Sequence, residues 1–311
     1  MASPVLDVLN LHIGLGSLTP VRGVSLQIQP GKTHGLVGES GCGKSMTALA
    51  VMGLLPKGAT RRAEHLRFQD QDLLEHRASR LRGDRIGMIF QEPMTSLNPA
   101  FTVGAQLTEV FRRHRGGTKA EASVRAAGML ARVGMTAPEL RLGQFPHQLS
   151  GGLRQRVMIA MALICGPTLL IADEPTTALD VTVQAGILRL LRGLQAERGL
   201  GVLLITHDLG VVARAADWVS VMYAGEIVEQ APVNALFAAP AHPYTRGLLA
   251  SVPVPGRRGA LGSTPGSVPR IPRGFTGCAF RGRCDQAMPV CETPVPRRVR
   301  GPEHTALCHL D

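Results

Sequence analysis

Gly38-Glu39-Ser40-Gly41-Cys42-Gly43-Lys44-Ser45 decides the fold. The octapeptide fits the spacing G-x-x-x-x-G-K-[ST], in which glycines let backbone N–H groups turn inward around a β-phosphate. Its flanks suit that task. Thr33 to Val37 is a strand-length apolar run, and Lys44 to Leu55 reads as a helix that Pro56-Lys57-Gly58 terminates. The helix N-terminus adds its positive dipole end to the loop. Lys44 is long enough to reach β- and γ-phosphates, and the Ser45 hydroxyl suits Mg²⁺. Strand, loop and helix together specify a nucleoside triphosphate site on an α/β fold.

The rest of the chain repeats that alternation. Leu169-Leu170-Ile171-Ala172-Asp173-Glu174 is an apolar strand ending in two carboxylates. Asp173 is the candidate Mg²⁺ holder, and Glu174, one residue on and pointing elsewhere, is the candidate general base toward an attacking water. Val5 to Ile13, Val24 to Ile28, Ile86 to Phe90, Val202 to Thr206 and Trp218 to Tyr223 read as further strands. Residues 100 to 145, broken at Gly116-Gly117, together with Gly152 to Ile164 and Val181 to Arg198, read as helices. Strands alternating with helices predict a mainly parallel sheet covered on both faces.

Composition sets the bounds. At 311 residues with 44% apolar and 18% charged residues, the chain holds enough apolar material for a large core, which excludes a disordered protein. No window approaches ~18 uninterrupted apolar residues, so no bilayer span is expected, and Met1-Ala2-Ser3-Pro4 does not open a secretory signal. The net charge of +11 suits a polyanionic partner or an arginine-rich codon usage equally well. From residue 251 onward, nine of 61 residues are proline and nine are arginine, and helical periodicity disappears. Cys278, Cys284, Cys291 and Cys308 crowd into this stretch, while Cys42 and Cys165 stand apart, the first as a small filler and the second as a buried helix residue. In a cytosolic chain such a cluster points to a metal site before disulfides.

Between the two phosphate-site motifs lies Leu149-Ser150-Gly151-Gly152-Leu153-Arg154-Gln155-Arg156-Val157. It resembles the LSGGQ signature of ATP-binding cassette (ABC) ATPases, with Leu153 and Arg154 ahead of Gln155. Ser150, Gly151 and Gly152 at a helix start form a second anion cradle. The resemblance implies that this loop, Gln155 included, faces the nucleotide of an opposite subunit. The other family motifs follow in order. Gln91 resembles the Q-loop glutamine that contacts Mg²⁺ and water. Ala178-Leu179-Asp180 resembles the D-loop, and His207 in Thr206-His207-Asp208 resembles the switch histidine at the γ-phosphate. These motifs run over about residues 5–235.

The implied fold is a P-loop NTPase core of the ABC type, with a RecA-like parallel sheet plus an antiparallel β subdomain. The core is expected over residues 1–235, a helical subdomain inserted at about 95–158, and an irregular C-terminal extension over 236–311. One departure concerns adenine. The family carries a stacking aromatic ahead of the phosphate loop, whereas no Phe, Trp or Tyr precedes Phe68 here. Leu15 or Leu18 is the candidate substitute, at a cost of ~1 kcal/mol in stacking.

Three flanking stretches resemble the dipeptide and oligopeptide importer branch. They are Phe90 through Pro99, Phe237 through Leu249 with His242-Pro243-Tyr244-Thr245, and the cysteine-bearing extension. That branch implies an ATPase importing peptides or similar solutes; nickel or another non-peptide solute is the alternative within it. A soluble ABC ATPase acting on nucleic acid is the rival from another class, disfavoured by a single phosphate loop and no sustained heptads. The resemblance further implies ATP and Mg²⁺, a second ATPase subunit of paralogous sequence, two integral membrane permeases, indirectly a solute-binding protein, and a peripheral place on the cytoplasmic face of the inner membrane. No nucleic acid partner is expected. The spacing C-x5-C-x6-C-x16-C lacks the tight pairs of zinc modules and does not fit ferredoxins. The branch resemblance implies a [4Fe–4S] cluster on Cys278, Cys284, Cys291 and Cys308, with zinc or free thiols as alternatives and His304 or His309 as substitute ligands. Arg281 and Arg283, flanking Cys284, are expected to lower its thiol pKa.

Overall fold

The computed structural model describes residues 3–75, 78–91, 96–175, 181–252 and 265–310. Its strands are, in chain order, β1 (Leu6–Leu15), β2 (Leu18–Ile28), β3 (Thr33–Val37), β4 (Ala59–Arg62), β5 (His65–Phe68), β6 (Gln71–Asp72), β7 (Ile86–Ile89), β8 (Leu169–Asp173), β9 (Gly201–Thr206), β10 (Trp218–Tyr223), β11 (Glu226–Pro232), β12 (Arg297–Gly301) and β13 (His304–Leu307). Every residue of β3, β8 and β9 is buried, as continuous apolar runs require when both faces are covered. The chain forms two compact units.

One unit comprises residues 6–28, 33–77 and 204–311 and carries the phosphate loop. Its N-terminal part is antiparallel, in the order β2-β1-β5-β6 with β4 also on β1. The β1–β2 register runs from Leu6↔Ile28 to Leu15↔Leu18, so the two strands are longer than their apolar patterning suggests. In the same unit β10 lies parallel to β3, and β11, β13 and β12 continue from β10 antiparallel. The C-terminal extension belongs to this unit: Ile271 and Phe280 share a core with Val37, Val221, Tyr223 and Tyr244. It is irregular over 265–296, yet its last stretch forms the β12–β13 hairpin, which pairs with β11 at Glu229↔Ala306. The helix after the phosphate loop ends at Met52, a turn before Leu55, where Gly53 turns left-handed.

The other unit comprises residues 1–5, 29–32 and 78–203. Here β7 and β8 run parallel, Ile86 opposite Leu169. This unit also holds the helices Val103–Arg115, Lys119–Arg132, Pro138–Leu142 and Gly151–Leu163. Their starts are capped locally: Thr118 and Glu121 form a reciprocal capping box, and the Thr102 hydroxyl accepts the Ala105 N–H. Val181–Arg198 is the long helix expected after the second motif.

Candidate nucleotide site

The phosphate loop leaves buried β3 and enters the helix Lys44–Met52, whose N-cap Gly43 has φ 110° and offers no side-chain cap. The first N–H groups of that helix therefore remain available to an anion. A Cβ at Gly43 would lie 2.4 Å from the Pro20 carbonyl, so only glycine lets β2 approach the loop. Lys44, 7% exposed, crosses the loop and donates to the Gly38 and Glu39 carbonyls at 2.7 and 2.9 Å. Ser40 and Gly41 are exposed at the loop tip and Ser45 is half-buried. Cys42 is buried at 1% exposure, and burial pushes its thiol pKa up, consistent with a packing role. At the hairpin end Leu15 and Leu18 face each other, with Leu15 38% exposed.

In the other unit, Asp173 ends β8 and is 4% exposed. Glu174 follows at φ +51°, a left-handed conformation rare outside glycine and asparagine. The backbone thus turns sharply between the two carboxylates, which separates their directions. Gln155, expected to face a nucleotide, is 1% exposed, and its Nε2 donates to the Pro175 carbonyl at 2.5 Å. It braces the residue next to Glu174. Ser150 caps the helix Gly151–Leu163, its Oγ accepting the Leu153 N–H at 3.4 Å, and Ser150 and Gly151 are exposed. The signature therefore presents an open helix N-terminus. Gln91 follows β7 and is exposed; His207 follows β9 and is exposed. Asp180, with Ala178 and Leu179, lies outside the described residues, as do Glu92 to Thr95.

The extension touches the phosphate loop directly, which no spacing in the sequence announces. The Tyr244 hydroxyl accepts the Glu39 N–H at 2.9 Å. The Arg283 guanidinium donates to the Glu39 carboxylate at 3.1 Å and to the Tyr223 hydroxyl at 3.4 Å. Tyr223, Tyr244 and Phe280 pack their rings at centroid distances of 4.7, 5.2 and 5.4 Å. Burial pushes the Tyr244 phenol up, so it stays protonated. Only the quoted His242-Pro243-Tyr244-Thr245 stretch hinted that these residues matter.

Cys278, Cys284, Cys291 and Cys308 line one small cavity together with His242 and His309. Burial pushes the Cys278 thiol up to about 11, with the three neighbouring thiols adding to it. The expected lowering of Cys284 does not occur: burial raises its pKa, and Arg283 is turned toward Glu39 and Tyr223 instead. His304 is not a spare ligand either, because its Nε2 is paired with the buried Glu229 at 2.8 Å. The Nε2 atoms of His242 and His309 are buried without a hydrogen-bond partner. Among the described residues, no three His, Cys, Asp or Glu side chains are grouped to hold a single metal ion.

Comparison with known proteins agrees with this architecture. Residues 21–177 match the ABC transporter family and residues 228–291 match the oligopeptide/dipeptide transporter C-terminal region. The dipeptide transport ATP-binding protein DppD of Bacillus subtilis is 48% identical over 98% of this chain and 94% of its own length. A probable peptide ABC transporter ATP-binding protein of Sinorhizobium fredii is 49% identical over 99% and 95%. Among solved structures, the ATP-binding cassette MJ0796, dimeric in a post-hydrolysis state with ADP and Pi, aligns at TM-score 0.63 and 28% identity over 73% of this chain and 98% of its own. The protein cbiO1 of Clostridium perfringens, part of the ABC transporter complex cbiONQ, aligns at TM-score 0.65 and 26% identity over 76% and 92%. No helix among the described residues is long and apolar enough to cross a membrane. With a phosphate loop, a carboxylate-ended strand and a signature helix in place, the chain belongs to the ATP-hydrolysing, ATP-binding subunits of the ABC transporter family, in its oligopeptide/dipeptide branch.

Proposed function

We propose that this ATPase energises import of peptides or similar small solutes through two membrane permease subunits, from the cytoplasmic face of the membrane. The observation that carries the reading is the oligopeptide/dipeptide C-terminal region over residues 228–291, on a chain that also retains Glu174 and His207. Two ATPase subunits, one of them a paralogue, close head to tail around two ATPs, so that each phosphate loop meets the other subunit's signature. Residues Gly38 to Ser45 wrap the phosphates with backbone N–H groups, and Lys44 swings from its carbonyl partners to the β- and γ-phosphates. Ser45, Asp173 and Gln91 are hard oxygen donors of the kind Mg²⁺ prefers, and the bound ion neutralises phosphate charge. Glu174 takes a proton from the attacking water, His207 orients the γ-phosphate, and Ser150, Gly151, Gly152 and Asp180 complete the partner's site.

A [4Fe–4S] cluster is the group we assign to the extension: it takes one thiolate per iron, and the four cysteines line one small cavity. The two buried imidazole nitrogens at that cavity support a bound group. Anaerobically purified protein should carry about four irons and a broad visible band, both lost in Cys278→Ser; iron-free protein would sink the assignment.

The transport reading is tested by co-purification and uptake. Tagged protein should bring down two multi-spanning permeases, and vesicles containing the complex should take up a labelled dipeptide only with ATP. Uptake of nickel but not of dipeptides would shift the solute to the alternative within the branch. Capture of ribosomes without permeases would defeat the importer reading.

A further inference from the structure

A cavity of about 770 Å³ in the phosphate-loop unit lies against the antiparallel sheet rather than at the phosphate loop. Five arginines and one acid, Glu226, line it. Three of the arginines are committed to fixed partners. Arg22 pairs with Glu226 at 2.6 Å and lies over the Phe275 ring at 5.2 Å. Arg297 donates to the Ile227 carbonyl at 2.8 Å, and Arg61 to the Ala50 and Leu73 carbonyls at 2.5 and 2.9 Å.

The side chains of the other two, Arg62 and Arg273, make no hydrogen bond or ion pair among the described residues. They stand over the same sheet face. Arg62 on β4 is opposite His12 on β1, and Thr60 is opposite Gly14 two residues along. The Arg273 Nη2 lies over Gly14, 3.2 Å from where a Cβ would stand, so the missing side chain makes room for this guanidinium. Burial and the charges of Arg62 and Arg22 hold the His12 imidazole below its usual pKa, which leaves a neutral ring on a positive floor. Gathering so many guanidinium groups around one acid is unfavourable without a compensating anion. Their planar forks match phosphate oxygens pairwise.

We propose that this cleft binds a small organic phosphate, gripped by Arg62 and Arg273 with its apolar part toward Phe275. The cavity has room for a phosphorylated molecule the size of a sugar bisphosphate and exceeds a bare phosphate.

The test uses the full chain with its nucleotide loop saturated by Mg²⁺ and a non-hydrolysable ATP analogue. Fructose 1,6-bisphosphate, titrated in as a probe and followed calorimetrically, should bind saturably at one site per chain. Arg62→Ala combined with Arg273→Ala should weaken it at least tenfold without lowering the thermal midpoint of the ligand-free protein, because neither side chain has a protein partner to lose and like-charge repulsion is relieved. Arg62→Lys with Arg273→Lys should retain part of the affinity, since charge remains without the fork. Competition by vesicles containing phosphatidate would assign the phosphate to a lipid headgroup, and its failure to a free metabolite; either result keeps the site. No saturable binding, an affinity indifferent to both arginines, or loss of binding when the nucleotide loop is filled would overturn the proposal.

Discussion

Glu174 sits at a left-handed φ of +51° directly after Asp173, and Gln155 holds the carbonyl of the following proline. Backbone strain of this kind costs about 1–3 kcal/mol and persists only where the surroundings enforce it. Glu174→Gln should therefore leave ATP binding intact and slow turnover at least a hundredfold, measured as phosphate release beside nucleotide binding; unchanged hydrolysis would remove Glu174 as the base. Tyr244 and Glu39 offer a different kind of test. Tyr244→Phe strips the acceptor from the Glu39 N–H, and Arg283→Ala strips the cation from its carboxylate. Both residues position the loop without facing the reaction. Steady-state kinetics of the complex should show KM for ATP rising several-fold with kcat little changed, about 1 kcal/mol of loop order lost. A fall in kcat at constant KM would contradict the positioning role. At this scale, motif spacing was enough to nominate the candidate residues, because each lies within a few positions of a glycine loop or an apolar strand end. The brace on Pro175 was not, because Gln155 reads as a ligand contact until its burial is seen.

At the scale of elements, β3 carries His34 inside a fully buried strand. Its Nδ1 donates to the Gln27 carbonyl at 3.0 Å, and in the neutral ring its Nε2 accepts from the Ser220 hydroxyl at 2.8 Å, so that both ring nitrogens are satisfied without a charge. Burial holds His34 at a pKa of about 4, and burial likewise holds His242, the N-cap of the helix Pro243–Ala250, at about 4. An unfolded histidine titrates near 6.5, so between about pH 6.5 and 4 the unfolded chain binds protons that the folded one refuses. Stability should be full above about pH 6.5 and fall as pH drops, by about 1.4 kcal/mol per pH unit for each ring. Calorimetric unfolding at pH 7 and pH 5 reads this directly, and His34→Gln should flatten the decline; a flat profile in the native protein would refute it. Elements with continuous apolar runs or helical caps were legible from the sequence. The strands β4 to β6 and the β12–β13 hairpin were not: Ala59-Thr60-Arg61-Arg62 is polar and becomes a strand only because the β1 edge supplies its hydrogen bonds.

For the whole molecule, the extension is built into the unit that holds the phosphate loop, not appended to it. Glu229 on β11 is fully buried and accepts the Ala241 and His242 N–H groups at 2.8 Å each while pairing with His304 on β13. Removing the extension after residue 250 would leave that carboxylate without His304 and strip Ile271 and Phe280 from the core. Truncation should cost several kcal/mol and yield an aggregating or protease-sensitive chain. A truncated chain with full stability and ATP affinity would show the extension to be an independent arm. The sequence by itself determined the nucleotide chemistry, the order of motifs and the α/β class. Each of those rests on local spacing, in which glycines, a lysine and carboxylates act within a few residues of one another. Tertiary structure alone decided that four distant cysteines share a cavity, that Arg283 serves Glu39 rather than Cys284, and that arginines from β2, β4 and the extension meet over one face of β1. Those contacts join residues tens to hundreds of positions apart, and they form only when burial of the common core brings their strands together.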